Sequence, residues 1–308
     1  QPPPVEEKVA DHMHVGHHSS ELFAEQAARF LLDYESDDPF FAYIAFMAPH
    51  DPRIMPQEFL DMYEPAELEI GDNFMEMHPY DNGQLTIRDE FLAAIPRKEI
   101  EVRQHLAEYY AMISHVDDQI GKVLHALRES GKLDETIIVF AGDNGLSLGR
   151  HGLMGKQNLY EHSIHIPMVM VGPGVPRGQV NKANVYTLDI YPTLCALTGI
   201  TPPDGLMGKS LGPVLSGDVE TPRAYFYYAY KELMRAVNLN GEKLIEYNIR
   251  GQRHTQLFNL NIDQMETNDI SDDPMHLPDV QRLRLKMLEA REEYGDYLPP
   301  FDSFWEGF

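Results

Sequence analysis

Cysteine is almost absent from this chain of 308 residues, which contains only Cys195. A single cysteine excludes an intrachain disulfide and any metal site built from several thiolates. Basic residues are scarce too, since 25 Lys and Arg oppose 49 Asp and Glu and leave a formal net charge of −24. Nucleic acid is therefore not an expected partner, because its phosphates require a basic face. An anionic substrate would need a local positive pocket to overcome long-range repulsion.

Long apolar runs are also missing. No stretch reaches the roughly 18 residues that a membrane-spanning helix requires, so no membrane span is predicted. No secretory signal peptide is recognised either, and the opening QPPPVEEK is typical of an extended linker or a cut end. Hydrophobic residues nevertheless make up 43% of the chain. A packed core is therefore expected, and disorder of the whole chain is not.

Helical and strand patterns alternate through the first part of the chain. Apolar residues at helical spacing predict helices at 20–34, 100–129 and 187–199. Continuous apolar runs, typical of strands buried on both faces, occupy 39–46, 136–142 and 166–172. This alternation predicts an α/β domain over 1–216, with a largely parallel sheet flanked by helices.

The pattern changes after residue 216. Three short runs are strand-like, at 224–230, 234–241 and 242–249. The last two are joined through Asn240-Gly241, which is a strong hairpin signal. A final helix is predicted over 278–294. We predict a small antiparallel subdomain with one packing helix over 217–308.

Polar residues with possible chemistry follow two of the predicted strands. His50 lies just beyond 39–46, and Asp143 and Asn144 directly follow 136–142. Functional groups of open α/β sheets collect at the carboxyl ends of strands. Carboxylate and amide oxygens suit Ca²⁺ or Mg²⁺, the ammonium of Lys156 suits an anionic oxygen, and a histidine can protonate a leaving group.

Each of these residues also has an ordinary structural explanation. Asp-Asn-Gly is more often a turn than a metal site. His50 can cap a strand end, and Lys156 can be one more solvated lysine. His151 is as readily a hydrogen-bonding loop residue as a substrate contact. Three further histidines are given structural roles: His115, His162 and His165.

Several motifs together resemble one known family. AFMAPHDPR, followed by VFAGDNGLSLGRHGLMGKQNLYEHSIHIPMVMVGPG, resembles the type I sulfatases of the alkaline-phosphatase-like superfamily. Those enzymes have a strand that ends in histidine, a strand that ends in Asp-Asn-Gly or Asp-His-Gly, and a following Gly-Lys. TLDIYPTLCALTGI and GEKLIEY with QLFNLNIDQMETND are similar to the family's later helix and closing sheet.

The resemblance implies a role for each candidate residue. Asp143 and Asn144 match metal-ligand positions, with Ca²⁺ expected and Mg²⁺ less favoured. His50 and Lys156 match sulfate-contacting catalytic positions, and His151 is a further substrate-binding candidate. In this reading the cation polarises a sulfate oxygen, Lys156 offsets negative charge, and His50 assists the leaving alcohol.

The sequence departs from the family in one major respect. The family's nucleophile is a formylglycine made within a C/S-x-P-x-R motif, and the present sequence has no such motif. The family's early Asp-Asp ligands and its Lys-x-His segment are also missing. We therefore expect the chain to be the C-terminal portion of a sulfatase, with the formylglycine in a missing N-terminal part. Cys195 is interpreted as a packing residue.

The predicted function is hydrolysis of a sulfate ester, with a sulfated sugar or polysaccharide as the expected substrate. Tyr80, Asp81 and Asn82, in the long excursion at 52–97, are candidates to line a polar cleft, and a packing insert is an equal alternative for a loop of that length. Two alternatives stay open: a phosphodiesterase or phosphonate hydrolase of the same superfamily, and a non-catalytic binding protein with the same fold. The family resemblance implies a periplasmic or secreted location, and the sequence leaves the oligomeric state open.

Overall fold

The structure is a computed structural model that describes residues 17–308. Its contacts divide into two compact units, which are described separately. The first unit comprises the described part of Gln1–Ile70 together with Arg97–Ile137, and the second comprises Gly71–Pro96 and Ile138–Phe308. None of the boundaries between these two units falls at residue 216. The domain boundary expected at residue 216 therefore stays a prediction.

The first unit is built on two helices that pack against each other, α1 (Ser19–Asp33) and α3 (Glu99–Glu129). A short helix, α2 (Gln57–Leu60), also packs on α3. The start of α1 is fixed by His18, whose Nδ1 accepts a hydrogen bond from the Ser20 amide at 3.1 Å. The predicted helix is confirmed, and a histidine caps it.

The long helix α3 confirms the clearest helical pattern of the sequence. Its buried side chains include Leu106, Ala107 and Ala111, whereas Ile113 is 41% exposed. His115 is 1% exposed and belongs to the buried face, as its structural role requires. No helix within residues 17–308 has the length and apolar character needed to cross a membrane.

The strand predicted at 39–46 forms no β-ladder with the residues that the structure describes. The segment has no regular secondary structure and is largely exposed, with Phe41 80% and Tyr43 84% accessible. Part of it, residues 41–45, lines an apolar groove together with Phe23 and Leu31 of α1. The prediction of a strand buried on both faces is therefore wrong for this segment among the residues that the structure describes.

The first sheet of the second unit contains β1 (Ile138–Ala141) and β2 (Met168–Val171). Both predicted strands are present, but they pair antiparallel. A parallel pair needs a crossover connection, usually through a long helix. The only helix between β1 and β2 is α4 (Glu161–Ile164), which has four residues. The chain therefore doubles back, and every described strand pair is antiparallel rather than largely parallel.

The helix predicted to end at Gly199 is confirmed as α5 (Ile190–Thr198), which is preceded by a 3₁₀ turn at Thr187–Asp189. Gly199 has φ of 71°, the left-handed conformation that glycine adopts easily at a helix end. Cys195 is 5% exposed, in agreement with a packing role. A further short helix, α6 (Gly212–Leu215), follows before the second sheet.

The C-terminal sheet is antiparallel, as predicted. Its strands lie in chain order and are β3 (Tyr225–Tyr230), β4 (Met234–Leu239), β5 (Glu242–Ile249) and β6 (Gln252–Asn259). Asn240 and Gly241 have φ of 56° and 84°, so both adopt the left-handed conformation that a tight two-residue hairpin demands. The predicted last helix is α7 (Leu277–Tyr294).

The two faces of this sheet pack against different partners. One face contributes Leu244 and Leu257 to a core with Leu283 of α7. The other face contributes Ile245 and Tyr247, and it packs on Leu153, Leu159 and Tyr160. Strand residues alternate between faces, so one sheet is covered by α7 on one side and by the loop that precedes α4 on the other. That loop contains most of the candidate site residues.

A buried ion triad joins β5 to this loop. The Lys243 ammonium is 2.8 Å from Oε1 of Glu161 and 2.7 Å from Oε1 of Glu266. The side chain of Lys243 has no solvent exposure. The second oxygen of Glu266 accepts the Glu161 amide at 2.7 Å. The three side chains thus satisfy one another, and only Glu161, at 21%, is partly exposed to water.

We expect Lys243→Met to lower the free energy of unfolding by about 3–5 kcal/mol, because the Glu266 carboxylate would stay buried without its cation. Urea unfolding followed by circular dichroism measures this loss. Adding Glu266→Gln to the variant should restore part of the stability. The matched control is Lys182→Met at an exposed lysine, and equal losses in both variants would contradict a special role for the triad.

Candidate functional site

Asp143 and Asn144 follow the end of β1, where the chain leaves the sheet. One carboxylate oxygen of Asp143, Oδ1, accepts the Asn144 amide at 2.8 Å. The Asn144 side-chain amide donates to the Gly145 carbonyl at 2.9 Å. Within residues 17–308, Oδ2 of Asp143 and Oδ1 of Asn144 have no hydrogen-bond partner. The turn therefore leaves two oxygen acceptors available for a ligand.

Gly145 fixes the path of the chain beyond this turn. Its amide donates to the Ser163 carbonyl at 2.9 Å. A Cβ atom at this position would lie 1.9 Å from the backbone oxygen of His162. Because a backbone atom cannot move aside easily, only glycine permits this approach.

Lys156 lies eleven residues after Gly145 in the sequence, on a loop whose backbone is strongly held. Its own amide donates to Oε1 of Gln157 at 2.9 Å. The preceding carbonyl, that of Gly155, accepts both the amide of Ser147 at 2.9 Å and its hydroxyl at 2.6 Å. The half-buried Lys156 ammonium makes no hydrogen bond or ion pair with residues 17–308. It is therefore a positive charge on a fixed backbone, available to an anion.

Two acidic residues on the 3₁₀ helix Arg88–Leu92 also hold this loop. The Glu90 carboxylate accepts the amides of Met154 and Gly155, each at 2.9 Å. Asp89 accepts the side-chain amide of Gln157 at 2.9 Å. Neither residue was predicted from the sequence. Their only signal was a pair of neighbouring acidic residues within the long segment 52–97, which has no clear helix or strand pattern.

His151 lies inside the protein rather than at its surface. It is 3% exposed, and its ring stacks on Tyr160 with centroids 3.8 Å apart. Its Nε2–H donates to the Glu266 carbonyl at 2.9 Å, and its amide donates to the Asn73 carbonyl at 2.7 Å. This geometry favours the alternative of a structural hydrogen-bonding role and does not favour direct contact with a substrate.

Of the two alternatives for residues 80–82, a polar cleft or a packing insert, packing holds for two of the three residues. Tyr80 stacks on His254 with ring centroids 4.5 Å apart and packs against the core below the sheet. Asn82 is 2% exposed and accepts the Gln84 amide at 2.9 Å. Only Asp81 is exposed, and it accepts the Gly83 amide in a tight turn. Aromatic packing, rather than a ligand, explains this segment.

His50 belongs to the first unit and is described there. Its Nδ1–H donates to the Asp51 carbonyl at 2.8 Å, and the same nitrogen is 3.4 Å from the Asp51 carboxylate. The side chain is 44% exposed. Asp143, Asn144 and Lys156 belong to the second unit. The idea that His50 shares a pocket with Lys156 therefore stays a prediction.

The oxygens at 143 and 144 are the right kind of ligand for a hard cation but are too few. Ca²⁺ takes about 6–8 oxygen ligands, so one carboxylate and one amide provide only part of a shell. Residues 17–308 contain no group of three or more His, Cys, Asp or Glu side chains that could hold a metal. The residues present thus fit one side of a cation site, and the remaining ligands must come from elsewhere.

Comparison with known families identifies the family of the chain. A sequence model described as Sulfatase matches residues 3–200. The chain belongs to the sulfatase family. A second model, described as N-sulphoglucosamine sulphohydrolase, C-terminal, matches residues 149–293 of this sulfatase chain. Together the two matches include the Asp143–Lys156 loop and most of the C-terminal sheet with its helix.

Curated relatives of this sulfatase chain are considerably longer. It is 29% identical over 289 residues to an arylsulfatase of Clostridium perfringens, covering 90% of the chain and 59% of that relative. It is 31% identical over 231 residues to arylsulfatase K of Danio rerio, covering 72% of the chain and 43% of that relative. The chain thus spans about half the length of the curated relatives it matches.

Solved structures confirm the predicted alkaline-phosphatase-like α/β fold. A structure determined with the substrate D-glucosamine-2-N,6-O-disulfate has a TM-score of 0.77 at 21% identity, covering 92% of this chain and 71% of that one. The phosphonate monoester hydrolase of Agrobacterium radiobacter has a TM-score of 0.75 at 23% identity, covering 89% and 60%. At these identities the likeness shows the fold alone.

Burial lowers the pKa values of His78, His151 and His162. Loss of water lowers the pKa of His151 and of His78 from 6.5 to about 4. Burial also lowers the pKa of His162 well below its usual value. His78 donates through Nδ1 to the His151 carbonyl at 3.0 Å, while His78 Nε2 and His151 Nδ1 have no partner within residues 17–308. A proton added to either nitrogen would be buried without an acceptor.

Acid should therefore destabilise the protein through these rings. Between pH 6.5 and 4 the unfolded chain takes up protons on them while the folded protein does not, so the free energy of unfolding falls as the pH falls. We expect His151→Asn to be destabilised at pH 7.5, since it loses the bond to Glu266. Asparagine is a suitable replacement because it tolerates the φ of 51° found at this position.

Wild type should have a higher free energy of unfolding than His151→Asn at pH 7.5. This difference in the free energy of unfolding should become smaller by about 2 kcal/mol at pH 4.5, because the variant no longer carries the histidine with the lowered pKa. Urea unfolding at a series of pH values measures the difference. His125→Asn, at an exposed ring of α3, is the matched control. A difference that stays constant with pH would contradict the assignment of His151 as a neutral buried imidazole.

Proposed function

We propose that the complete protein containing this chain is a sulfatase that hydrolyses a sulfate ester. The main support is the Lys156 ammonium, which is unpaired within residues 17–308 although it stands on a backbone held from both sides. A charge left without a protein partner, in a chain of net charge −24, is suited to bind an anionic group locally. Family membership identifies sulfate as the expected anion.

In this proposal Asp143 and Asn144 hold a divalent cation together with ligands from outside this chain. Ca²⁺ is favoured over Mg²⁺, because carboxylate and amide oxygens in a flexible shell suit the larger ion. When bound, the cation supplies Lewis-acid polarisation of a sulfate oxygen. Lys156 binds and orients the sulfate group and offsets the charge that develops on it. His50 protonates the oxygen of the departing alcohol.

The nucleophile is proposed to be a formylglycine that this sequence does not contain. The resemblance to type I sulfatases is the support for it, since the C/S-x-P-x-R motif is absent from the 308 residues. A periplasmic or secreted location belongs to the same proposal and also rests on the resemblance. Fractionation of the source cells with an antibody to this chain would test the location.

A sulfated carbohydrate is the proposed substrate class. One relative is named N-acetylglucosamine-6-O-sulfatase, from Bacteroides thetaiotaomicron, and the chain is 32% identical to it over 212 residues. The solved structure with glucosamine disulfate has the same fold. Release of inorganic sulfate from 6-O-sulfated and N-sulfated glucosamine, compared with release from choline sulfate, tests this choice. Faster turnover of choline sulfate would contradict it.

Hydrolysis of a phosphonate monoester is the second candidate, because phosphonate monoester hydrolases have the same fold. A phosphonate monoester and an aryl sulfate with the same leaving group separate the two activities directly. A higher kcat/KM for the sulfate supports the proposal, and a higher value for the phosphonate favours the second candidate. No turnover of either ester would favour a non-catalytic binding protein.

Replacing Lys156 by alanine should strongly reduce turnover in the complete protein. Loss of a charge-assisted contact to the reacting group costs about 2–4 kcal/mol, which corresponds to about 30- to 1000-fold in kcat/KM. Lys156→Arg should restore only part of the activity, because a planar guanidinium cannot occupy the position of a compact ammonium. Lys182→Ala, at an exposed lysine, is the control. Unchanged sulfate release by Lys156→Ala would exclude Lys156 from the site.

Asp143→Asn should lower kcat/KM by about two orders of magnitude or more, because a formal negative charge leaves the first shell of the cation. The Ca²⁺ concentration that gives half-maximal activity should rise at the same time, and titration of the chelated protein measures it. Asp204→Asn, at an exposed aspartate, should leave both values unchanged. Normal activity of Asp143→Asn at saturating Ca²⁺ would remove Asp143 from the metal site.

A further inference from the structure

We propose that Glu90 is a positioning residue that sets the location of the Lys156 ammonium, an inference that rests on the proposed function. Glu90 lies 66 positions before Lys156 in the sequence and has no role in the motifs that identify the family here. Its carboxylate acts through the backbone of the lysine loop and is not placed in contact with the sulfate group. The side chain is 3% exposed, so its interactions are shielded from water.

Side chains hold three consecutive amides of the lysine loop. Glu90 accepts the first two, those of Met154 and Gly155, one on each carboxylate oxygen at 2.9 Å. Gln157 accepts the third, that of Lys156, at 2.9 Å. The other end of the Gln157 amide donates to Asp89 at 2.9 Å, so the third contact is anchored to the same 3₁₀ helix.

The carbonyl of Gly155 is held as well. The Gly155 carbonyl accepts two hydrogen bonds from Ser147, which is fully buried. Gly155 is therefore bonded through its N–H to Glu90 and through its carbonyl to Ser147. A Cβ atom at Gly155 would lie 2.5 Å from Oε1 of Gln157 and 3.1 Å from Oε1 of Glu90. A side chain at position 155 would therefore displace the Gln157 contact, whereas glycine leaves it in place.

The backbone matters here because no hydrogen bond or ion pair with residues 17–308 holds the lysine side chain. The Lys156 ammonium has no hydrogen-bond partner or counter-ion there, and its stem has four rotatable carbons. The position of its Cα atom therefore determines which space the ammonium can reach. Hydrogen bonds to a buried carboxylate are stronger than neutral ones, so Glu90 is the strongest of the loop's anchors. Small displacements of a catalytic group can cost a large factor in rate.

Glu90→Gln in the complete protein tests the proposal with little change in side-chain volume. The glutamine oxygen can keep one amide contact, but its NH₂ group faces the other amide and repels it. We expect kcat/KM for a sulfate ester to fall about 10-fold, and Glu90→Ala to lose more. The dissociation constant for inorganic sulfate, measured by calorimetry, should rise by a similar factor, and this measurement needs no turnover.

A double-mutant cycle with Lys156→Ala separates positioning from general damage. If Glu90 acts through Lys156, then Glu90→Gln should have almost no further effect on kcat/KM or on sulfate affinity once the lysine is gone. Glu246→Gln is the matched control, because Glu246 is also a fully buried glutamate but is paired with Arg284 on the C-terminal sheet. It should lower the melting temperature without changing sulfate affinity.

The outcomes distinguish the two proposals. Additive losses from Glu90→Gln and Lys156→Ala would overturn the positioning role, as would a Glu90→Gln variant that binds sulfate like wild type. A complete protein that releases no sulfate from any ester would refute the proposed activity. In that case the calorimetric cycle with inorganic sulfate still decides whether Glu90 positions Lys156 for an anion.

Discussion

The burial of Lys243 between two glutamates is the interaction on which the second unit depends. Glu161 stands at the start of α4 and Glu266 lies beyond β6, so one ammonium joins two segments to β5. A buried charge without a partner would strongly lower the free energy of unfolding, so each of the three groups holds the other two in position. Glu266 also adopts φ of 56° and presents its carbonyl to His151. The loop that leads to Lys156 is thereby fixed against the sheet.

Local sequence signals predicted the elements whose formation depends on neighbouring residues. The 3.6-residue periodicity of α3, the glycine that ends α5 and the Asn240-Gly241 hairpin all act over a few positions, and all three are confirmed. Strand pairing is not a local property. The apolar run at 39–46 reads as a buried strand, but nothing in its sequence specifies a partner, and the described residues provide none.

The candidate site shows the same limit. Asp143, Asn144 and Lys156 were found because they lie within one short motif and match one family. Glu90 was missed because its contact with Gly155 spans 65 positions, and a carboxylate that accepts backbone amides leaves no pattern in the sequence. His151 became a substrate-binding candidate through the family resemblance, with a hydrogen-bonding loop role as an equal alternative. Its stacking on Tyr160 is visible only in three dimensions.

The distances in sequence that separate the loop from its anchors have a consequence for biosynthesis. Asn73 donates to the Met265 carbonyl across 192 positions, and His151 donates to the Glu266 carbonyl across 115. A chain that leaves the ribosome from its N-terminus cannot make these bonds until residue 266 has emerged. The segment that holds Lys156 is therefore completed late in translation, after α3 and β1 have been available for some time. A nascent chain that pauses before residue 266 presents the lysine loop without its most distant supports.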